Sequence, residues 1–166
     1  MKRRVFSLSV GAALLACRAP VLRAQADRRF DPARDAAADV AAACAEARAQ
    51  GKRVLVDVGG EWCSWCHTMD RFFQRDAQAA RLRDAGFVWV KVNYSPQNRN
   101  EALLSRWPRI RGYPHLFVLD ADGTLLHSQD TSMLEAGNGY DHDRFVAFLT
   151  RWSTAKPRAT SGTVST

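Results

Sequence analysis

The sequence predicts an α/β fold, in which a mixed central sheet carries helices on both faces and is preceded by an N-terminal helix. Val-rich runs typical of buried strands alternate with stretches whose apolar residues recur every three or four positions, as on one helix face. Later in the chain, two apolar runs flank a short Ala-Asp-Gly turn, a pattern typical of a hairpin. A strand–helix–strand unit followed by a hairpin and a covering helix forms a mixed sheet.

Eight elements are expected, in the order α-β-α-β-α-β-β-α. Gly51 stops the first helix, and Pro108 ends a short one. Residues expected on one face of the long second helix are Met69, Phe72, Phe73, Ala77 and Ala80. The expected bounds are 34–51, 53–59, 63 to about 85, 87–94, a short helix through 103–107, then 115–120, 124–129 and a last helix with Phe145, Phe148, Leu149 and Trp152 on one face. A Gly-containing loop, EAGNGYD, precedes that last helix.

Composition favours one exported domain and argues against a nucleic-acid partner. The chain has 166 residues, enough for a single domain with a proper core. Its formal charge is +7, but residues 1–26 hold five basic side chains and no acid. The remainder therefore carries only +2, too little to indicate a nucleic-acid-binding surface.

Residues 1–26 have the features of an export signal. A basic start, MKRR, precedes an apolar run that is too short to span a bilayer, and small residues precede Asp27. Two other signals fit: a lipoprotein signal would put a lipid anchor on Cys17, and Arg3-Arg4 fits a twin-arginine signal. All three signals predict a periplasmic or secreted protein. We expect a monomer with one domain over residues 27–152 and a disordered tail over residues 153–166.

Three cysteines remain after the expected cleavage, and two of them form a CxxC. An odd, small number in an oxidising compartment favours working chemistry at Cys63 and Cys66 over a structural framework. Cys63 is expected at a helix start, where unpaired N–H groups and the helix dipole favour a thiolate. We therefore expect Cys63 to attack and Cys66 to resolve the mixed disulfide, with no cofactor. Cys44 is expected to be a small buried apolar residue.

Two charged residues lie inside the predicted buried strands. Asp57 is six residues before Cys63, and burial should raise the pKa of its carboxyl and make it a candidate acid–base group. Lys91 is in the next strand of a chain that has 20 arginines and only four lysines. We expect the two side chains to face each other across adjacent strands and to belong to the catalytic site.

Two other chemistries use the same cysteines. With His67 the motif reads CxxCH, the attachment site of a c-type haem, for which Met133 could be a second axial ligand. Cys63, Cys66 and His67 could instead bind a metal such as copper, with His115 as a fourth ligand. Haem leaves the Val-rich strand and Asp57 before the motif without a role.

The motifs resemble those of thioredoxin-fold proteins over roughly residues 34–152. VLVDVGGEWCSWC is similar to the family pattern V-D-F-x-A-x-W-C-x-x-C, with Asp57, Glu61, Trp62 and both cysteines at the family spacing. Lys91 lies where the family has a buried lysine, and IRGYPHLFVLDADG resembles the family's R-G-x-P-T segment. The chain is most similar to exported thioredoxin-like proteins and to the C-terminal domain of DsbD-type reductases.

The resemblance implies a thioredoxin-like fold and a protein-disulfide oxidoreductase, with reduction favoured over oxidation. It implies a cis Tyr113–Pro114 bond packed against the Cys63–Cys66 disulfide. The implied substrate-binding residues are Trp62, Trp65, Tyr113, Pro114 and His115. Its implied partners are proteins with disulfides or free cysteines, and a membrane or soluble thiol electron donor. The chain departs from the family in the Ser-Trp interior of its CxxC, which tunes the redox potential, and in His115, where threonine is usual.

Overall fold

The computed structural model describes residues 29–154. The expected export signal, its cleavage point before Asp27, the candidate lipid anchor Cys17 and residues 155–166 of the tail lie outside the described residues. Among the described helices, none combines the length and apolar character needed to cross a bilayer.

The secondary structure follows the expected order, with additions near the C-terminal end. Asp35 caps the first helix by accepting from the N–H groups of Ala37 and Ala38, and Gly51 ends it in the left-handed region. The helices are α1 Ala36–Gln50, α2 Ser64–Arg75, α3 Ala77–Gly86, α4 Glu101–Leu104 and α5 His142–Trp152. The strands are β1 Arg53–Gly59, β2 Phe87–Asn93, β3 His115–Leu119, β4 Leu125–Asp130, β5 Glu135–Ala136 and β6 Gly139–Tyr140.

The main sheet is mixed, as expected, with strand order β2-β1-β3-β4. β1 and β2 are parallel and in a register that places Asp57 opposite Lys91. β3 runs antiparallel to β1 and to β4, which confirms the expected hairpin. The Val-rich strand β1 is therefore central and its C-terminal end, where the CxxC segment begins, is held between two neighbours.

Alternation along the strands sends side chains to two cores, one on each face of the sheet. Val54, Val56 and Val58 of β1 join the core beneath α1, which also buries Cys44. Leu55 joins the opposite core, which is formed with α2, α3 and α5. Asp57 follows Leu55 by two residues and therefore points to the α2 face.

The expected single helix from Cys63 to about Ala85 is wrong. It is two helices, because Asp76 adopts an extended backbone and its carboxylate accepts from the N–H groups of Gln78 and Ala79. The break changes which residues face the core after it. Ala79 is buried while Ala77 is exposed, so the apolar face expected from the sequence does not continue past residue 76.

The segment between β4 and α5 is more regular than the expected loop. It forms a 3-10 helix over Thr131–Leu134 followed by the short β5–β6 hairpin. Gly137 lies in that hairpin turn with φ 57°, a left-handed conformation that glycine adopts without steric cost. The segment places Tyr140 against the main body of the protein.

Candidate active site

Cys63 and Cys66 form a disulfide at the N-terminal end of α2. Cys63 is the N-cap residue, and its Sγ accepts a hydrogen bond from the Cys66 N–H at 3.1 Å. The two Cα atoms are 5.2 Å apart. Cys63 is 4% exposed and Cys66 is 1% exposed, so Cys63 is the less enclosed of the two. The helix start therefore offers N–H dipoles to the first sulfur, as expected.

The end of β1 lies very close to the second sulfur. A Cβ added to Gly59 would clash with Cys66 Sγ and would lie 3.0 Å from Cζ of Phe30. Only a glycine allows the strand to approach the disulfide so closely. Because Gly59 and Asp57 are two residues apart in one strand, the Asp57 side chain points to the same face as Cys66 Sγ.

Phe30 lies in the segment before α1, here called the arm, and packs against the disulfide. It is 1% exposed and packs with both cysteines. Its N–H donates to Glu61 Oε1 at 2.8 Å, which ties the arm to the segment before the CxxC. Its ring lies 4.3 Å from the Lys91 ammonium, a cation–π distance. Phe30 therefore separates the sulfurs from water on this side.

Lys91 lies between two carboxylates. Its Nζ donates to Asp70 Oδ1 and Oδ2 at 2.7 and 2.8 Å, and it lies 3.9 Å from Asp57 Oδ2. The expected pairing of Asp57 and Lys91 across the strands is confirmed. The stronger partner of Lys91 is nevertheless Asp70, which lies on α2 one turn after Cys66.

The Lys91 ammonium makes its hydrogen bonds to Asp70, so the buried Asp57 carboxyl is only partly compensated by it. Burial raises the pKa of Asp57 from an ordinary 3.8 to about 7, with the Lys91 charge opposing this rise and the Asp70 charge adding to it. The confirmed direction is the one expected for a carboxyl in a buried strand. Near neutral pH, Asp57 can therefore both accept and release a proton.

Three buried polar atoms around Asp57 lack a hydrogen-bond partner among the described residues. They are Asp57 Oδ1, Trp89 Nε1 and the Tyr140 hydroxyl. Burial is the main cause that raises the pKa of both Asp57 and Tyr140; the Trp89 indole lowers that of Asp57, and the Asp57 charge adds a smaller rise to that of Tyr140. Because a buried polar group without a partner is costly, a cluster of such groups is typical of a functional site rather than of a purely structural core.

Aromatic rings form the outer rim of the site. Trp62 is 56% exposed, and its indole N–H donates to the Tyr94 carbonyl at 2.7 Å. The Trp62 ring meets the edge of Tyr113 at 5.6 Å, and Tyr113 stacks on Tyr94 at 4.9 Å. Tyr113 also packs against the disulfide cluster. The structure thus brings Trp62 and Tyr113 together beside Cys63.

The opposite rim is formed by Trp65 and the 131–140 segment. Trp65 packs against the disulfide cluster and meets the edge of Tyr140 at 5.6 Å. The Tyr113–Pro114 peptide bond is cis, in agreement with the expectation. The Pro114 carbonyl accepts from the Thr131 hydroxyl, so the same segment also fixes the proline loop.

His115 is directed away from the rim. It is 5% exposed, its Nε2 is 2.8 Å from Ser128 Oγ, and its ring packs on Phe117 at 4.7 Å. Phe117 belongs to the core beneath α1, on the face opposite to the one carrying Asp57. The His115 ring therefore does not contact the dithiol, and its role in substrate binding stays a prediction.

His67 and Met133, named for the alternative sites, have other surroundings in the structure. His67 Nε2 is 2.8 Å from the Glu61 carbonyl, and Met133 is 68% exposed. Within residues 29–154, no group of three or more histidine, cysteine or acidic residues is arranged to hold a metal ion. Cys44, the remaining described cysteine, is a buried free thiol on the inner face of α1, as expected.

Sequence reasoning missed Phe30, Asp70 and Tyr140. Asp70 had a usable signal, since it lies four residues after Cys66 and therefore on the same helix face. Phe30 and Tyr140 lie in segments without a periodic pattern, so nothing in the sequence placed them near the disulfide.

Comparison with known proteins assigns the family. The thioredoxin-like family matches residues 35–121, just over half of the chain. Thiol:disulfide interchange protein DsbD from Pseudomonas sp. (strain JR1 / K1) is 32% identical over 113 residues, which are 67% of this chain and 18% of that protein. DsbE from Pseudomonas aeruginosa is 34% identical over 88 residues, which are 52% of this chain and 44% of DsbE. The chain thus spans less than half the length of either relative.

Solved structures show the same fold. A disulphide isomerase from Xylella fastidiosa Temecula1 superposes with a TM-score of 0.63 at 23% identity, over 74% of this chain and 94% of that one. The oxidised C-terminal domain of Neisseria meningitidis DsbD gives 0.54 at 20% identity, over 75% and 98%. At these identities the likeness shows the fold alone. Together with the family match, it confirms the resemblance expected from the motifs: the chain belongs to the thioredoxin-like family.

Proposed function

We propose that the protein is an exported thiol-disulfide oxidoreductase that acts on protein disulfides through Cys63 and Cys66. The observation that carries the proposal is the disulfide at the N-terminus of α2, with the protonatable Asp57 on the same face of the sheet. The names of the relatives, which are thiol:disulfide interchange proteins, support the same activity. Export to the periplasm rests on the expected signal in residues 1–26.

The reaction proceeds by two sulfur exchanges. The Cys63 thiolate attacks one sulfur of a substrate disulfide, the substrate S–S bond breaks, and the departing substrate sulfur takes a proton. Cys66 then gives its proton to Asp57 and attacks Cys63 Sγ, which releases the second substrate thiol. The substrate gains two electrons and the protein is left as the Cys63–Cys66 disulfide. A membrane or soluble dithiol donor returns the electrons.

The roles of the other residues follow from their positions. Burial keeps the Asp57 pKa near neutral pH; the Lys91 charge beside it lowers that pKa, and the Asp70 charge, which pairs with Lys91, raises it. Trp62, Trp65, Tyr113 and Pro114 shape the surface on which the substrate docks. Reduction is the direction we propose, because the paired Asp57 and Lys91 and the flanking sequence resemble those of the reducing DsbD-type domains.

Single-cysteine variants test the proposal. Cys63→Ser is expected to abolish reduction of a protein disulfide, because it removes the attacking sulfur. Cys66→Ser is expected to accumulate covalent complexes with substrates, because the mixed disulfide has no resolving thiol. Mass spectrometry of non-reduced complexes checks both, with Cys44→Ser as the matched control that should behave as the parent protein. A Cys66→Ser protein that turns over repeatedly would contradict the assignment.

A further inference from the structure

The loop that leads into the cis proline carries an unbalanced positive charge. Residues 105–112, within the connection from α4 to β3, contain Arg106, Arg109 and Arg111, all exposed, and no acidic residue. We call residues 105–112 the arginine loop. Residues 29–154 contain sixteen basic and sixteen acidic side chains, so the described part of the protein is formally neutral. The charge of the loop is therefore local rather than a consequence of a basic chain.

The arginine loop is not used to hold the fold together. Among residues 29–154, none of its three guanidinium groups is hydrogen-bonded or ion-paired, whereas Arg99 pairs with Glu101 at 3.8 Å. Asp130 is an acidic residue whose pKa is affected by the loop. The Ser132 hydrogen bonds lower that pKa most, and the Arg111 charge lowers it by a smaller amount. Asp130 Oδ1 already accepts from the N–H and the hydroxyl of Ser132. The positive charge of the loop is therefore largely uncompensated within the described residues and is available to bind a group from outside the protein.

The loop also lies close in sequence to a residue that packs against the disulfide. Pro108, Arg109, Ile110 and Arg111 line a groove of about 600 Å³. Arg111 is two residues before Tyr113, whose ring packs against the disulfide cluster. Two residues span at most about 7 Å, so a chain that places its disulfide at Cys63 passes within reach of a long arginine side chain.

We propose that the arginine loop selects protein disulfides that are flanked by acidic residues. The proposal rests on the proposed function and adds the substrate class. Aspartate or glutamate close to the reacting cysteine would accept charge-assisted, often bidentate, hydrogen bonds from the guanidinium groups. The positive loop would also raise the rate of productive encounter, an effect that salt screens. The occupant of the groove is thus an acidic segment of a protein substrate.

Two matched peptides test the selection. Each closes one disulfide, and they differ only in having Glu-Glu or Gln-Gln beside the first cysteine. At low salt, kcat/KM is expected to be about tenfold higher for the acidic peptide, and the ratio should fall below about twofold in 0.5 M NaCl because salt screens exposed charges. Equal rates for the two peptides at low salt would overturn the substrate class. No exchange with either peptide would contradict the proposed function itself.

Charge reversal assigns the selection to the loop. The double variant Arg109→Glu, Arg111→Glu is expected to lose the preference for the acidic peptide while turning over the Gln-Gln peptide as the parent protein does. That second rate also shows that the variant is folded. The double variant Arg75→Glu, Arg81→Glu, which makes the same change of charge at exposed positions on α2 and α3, is the matched control and should keep the preference. A double variant that still prefers the acidic peptide would overturn the role of the loop.

Discussion

Asp57 affects both proton exchange at the site and the stability of the fold. It is 1% exposed in the central strand, and a carboxylate in such a place is costly. The Lys91 ammonium is held at 2.7 Å by Asp70, so it only partly offsets that cost. The result is a carboxyl whose pKa lies near 7, which suits proton exchange with a thiol but weakens the fold when ionised.

This balance predicts a pH-dependent stability for the parent protein. Because folding raises the pKa of Asp57 from 3.8 to about 7, its contribution to stability is full below about pH 4 and is lost as the pH rises to about 7. Above that, the ionised carboxyl costs roughly 4 kcal/mol relative to the protonated form.

We therefore expect Asp57→Asn to be more stable than the parent protein at pH 8, by up to about 4 kcal/mol, and similar at pH 4. Asparagine keeps the shape without a charge to bury. Denaturant unfolding at the two pH values measures the difference. Asp143→Asn, which removes an exposed carboxylate, should show no such contrast. Equal effects of Asp57→Asn at pH 4 and pH 8 would refute a proton held by the carboxyl at this position.

The roles of single residues were predictable where a pattern made them unusual. A lone acid and a lone lysine stood out in apolar strands, and their pairing and the direction of the Asp57 pKa were predicted correctly. His115 was expected to touch the dithiol because of its place after Pro114. Strand alternation instead puts its ring on the other face, against Phe117.

At the scale of elements, the site is formed where β1 and α2 come closest. Gly59 ends the strand with no room for a Cβ beside Cys66 Sγ, and Phe30 fills the space next to it. The contact fixes how near the helix start lies to the sheet, and thereby where the disulfide sits relative to Asp57.

Gly59→Ala is therefore expected to lower the free energy of unfolding of the oxidised protein by about 1–3 kcal/mol, as overpacking does in tight cores. The added methyl must displace either the sulfur or Phe30. Gly139→Ala is the matched control, because a Cβ at Gly139 has nothing within 4 Å and its φ is not in the positive region. Thermal unfolding of both variants measures the contrast. An unchanged transition for Gly59→Ala would mean that strand and helix can separate at little cost.

Elements with a clear period were predictable, and their breaks were not. The helix 34–51 was predicted from apolar positions that repeat at helical spacing, both parallel strands from short Val-rich apolar runs, and the hairpin from the Ala-Asp-Gly turn between two apolar runs. The break at Asp76 was not predicted, because the sequence keeps apolar residues at helical spacing on both sides of this one-residue cap. The β5–β6 hairpin was not predicted, because strands of two residues are too short to show an alternation of apolar and polar residues.

For the whole molecule, the central claim is that this fold holds Cys63 and Cys66 as a reversible two-electron couple. The third described cysteine offers an internal reference. Cys44 is buried on the inner face of α1, and burial raises the pKa of its thiol, so it should take no part in exchange.

A redox titration against glutathione, with alkylation and mass spectrometry of each cysteine, tests this claim most directly. We expect Cys63 and Cys66 to change together with a midpoint of about −270 mV, as for a thioredoxin-like reductase, while Cys44 stays a free thiol throughout. A midpoint of about −120 mV would contradict the reducing direction. Sulfurs that do not respond to the glutathione ratio at all would contradict the redox function.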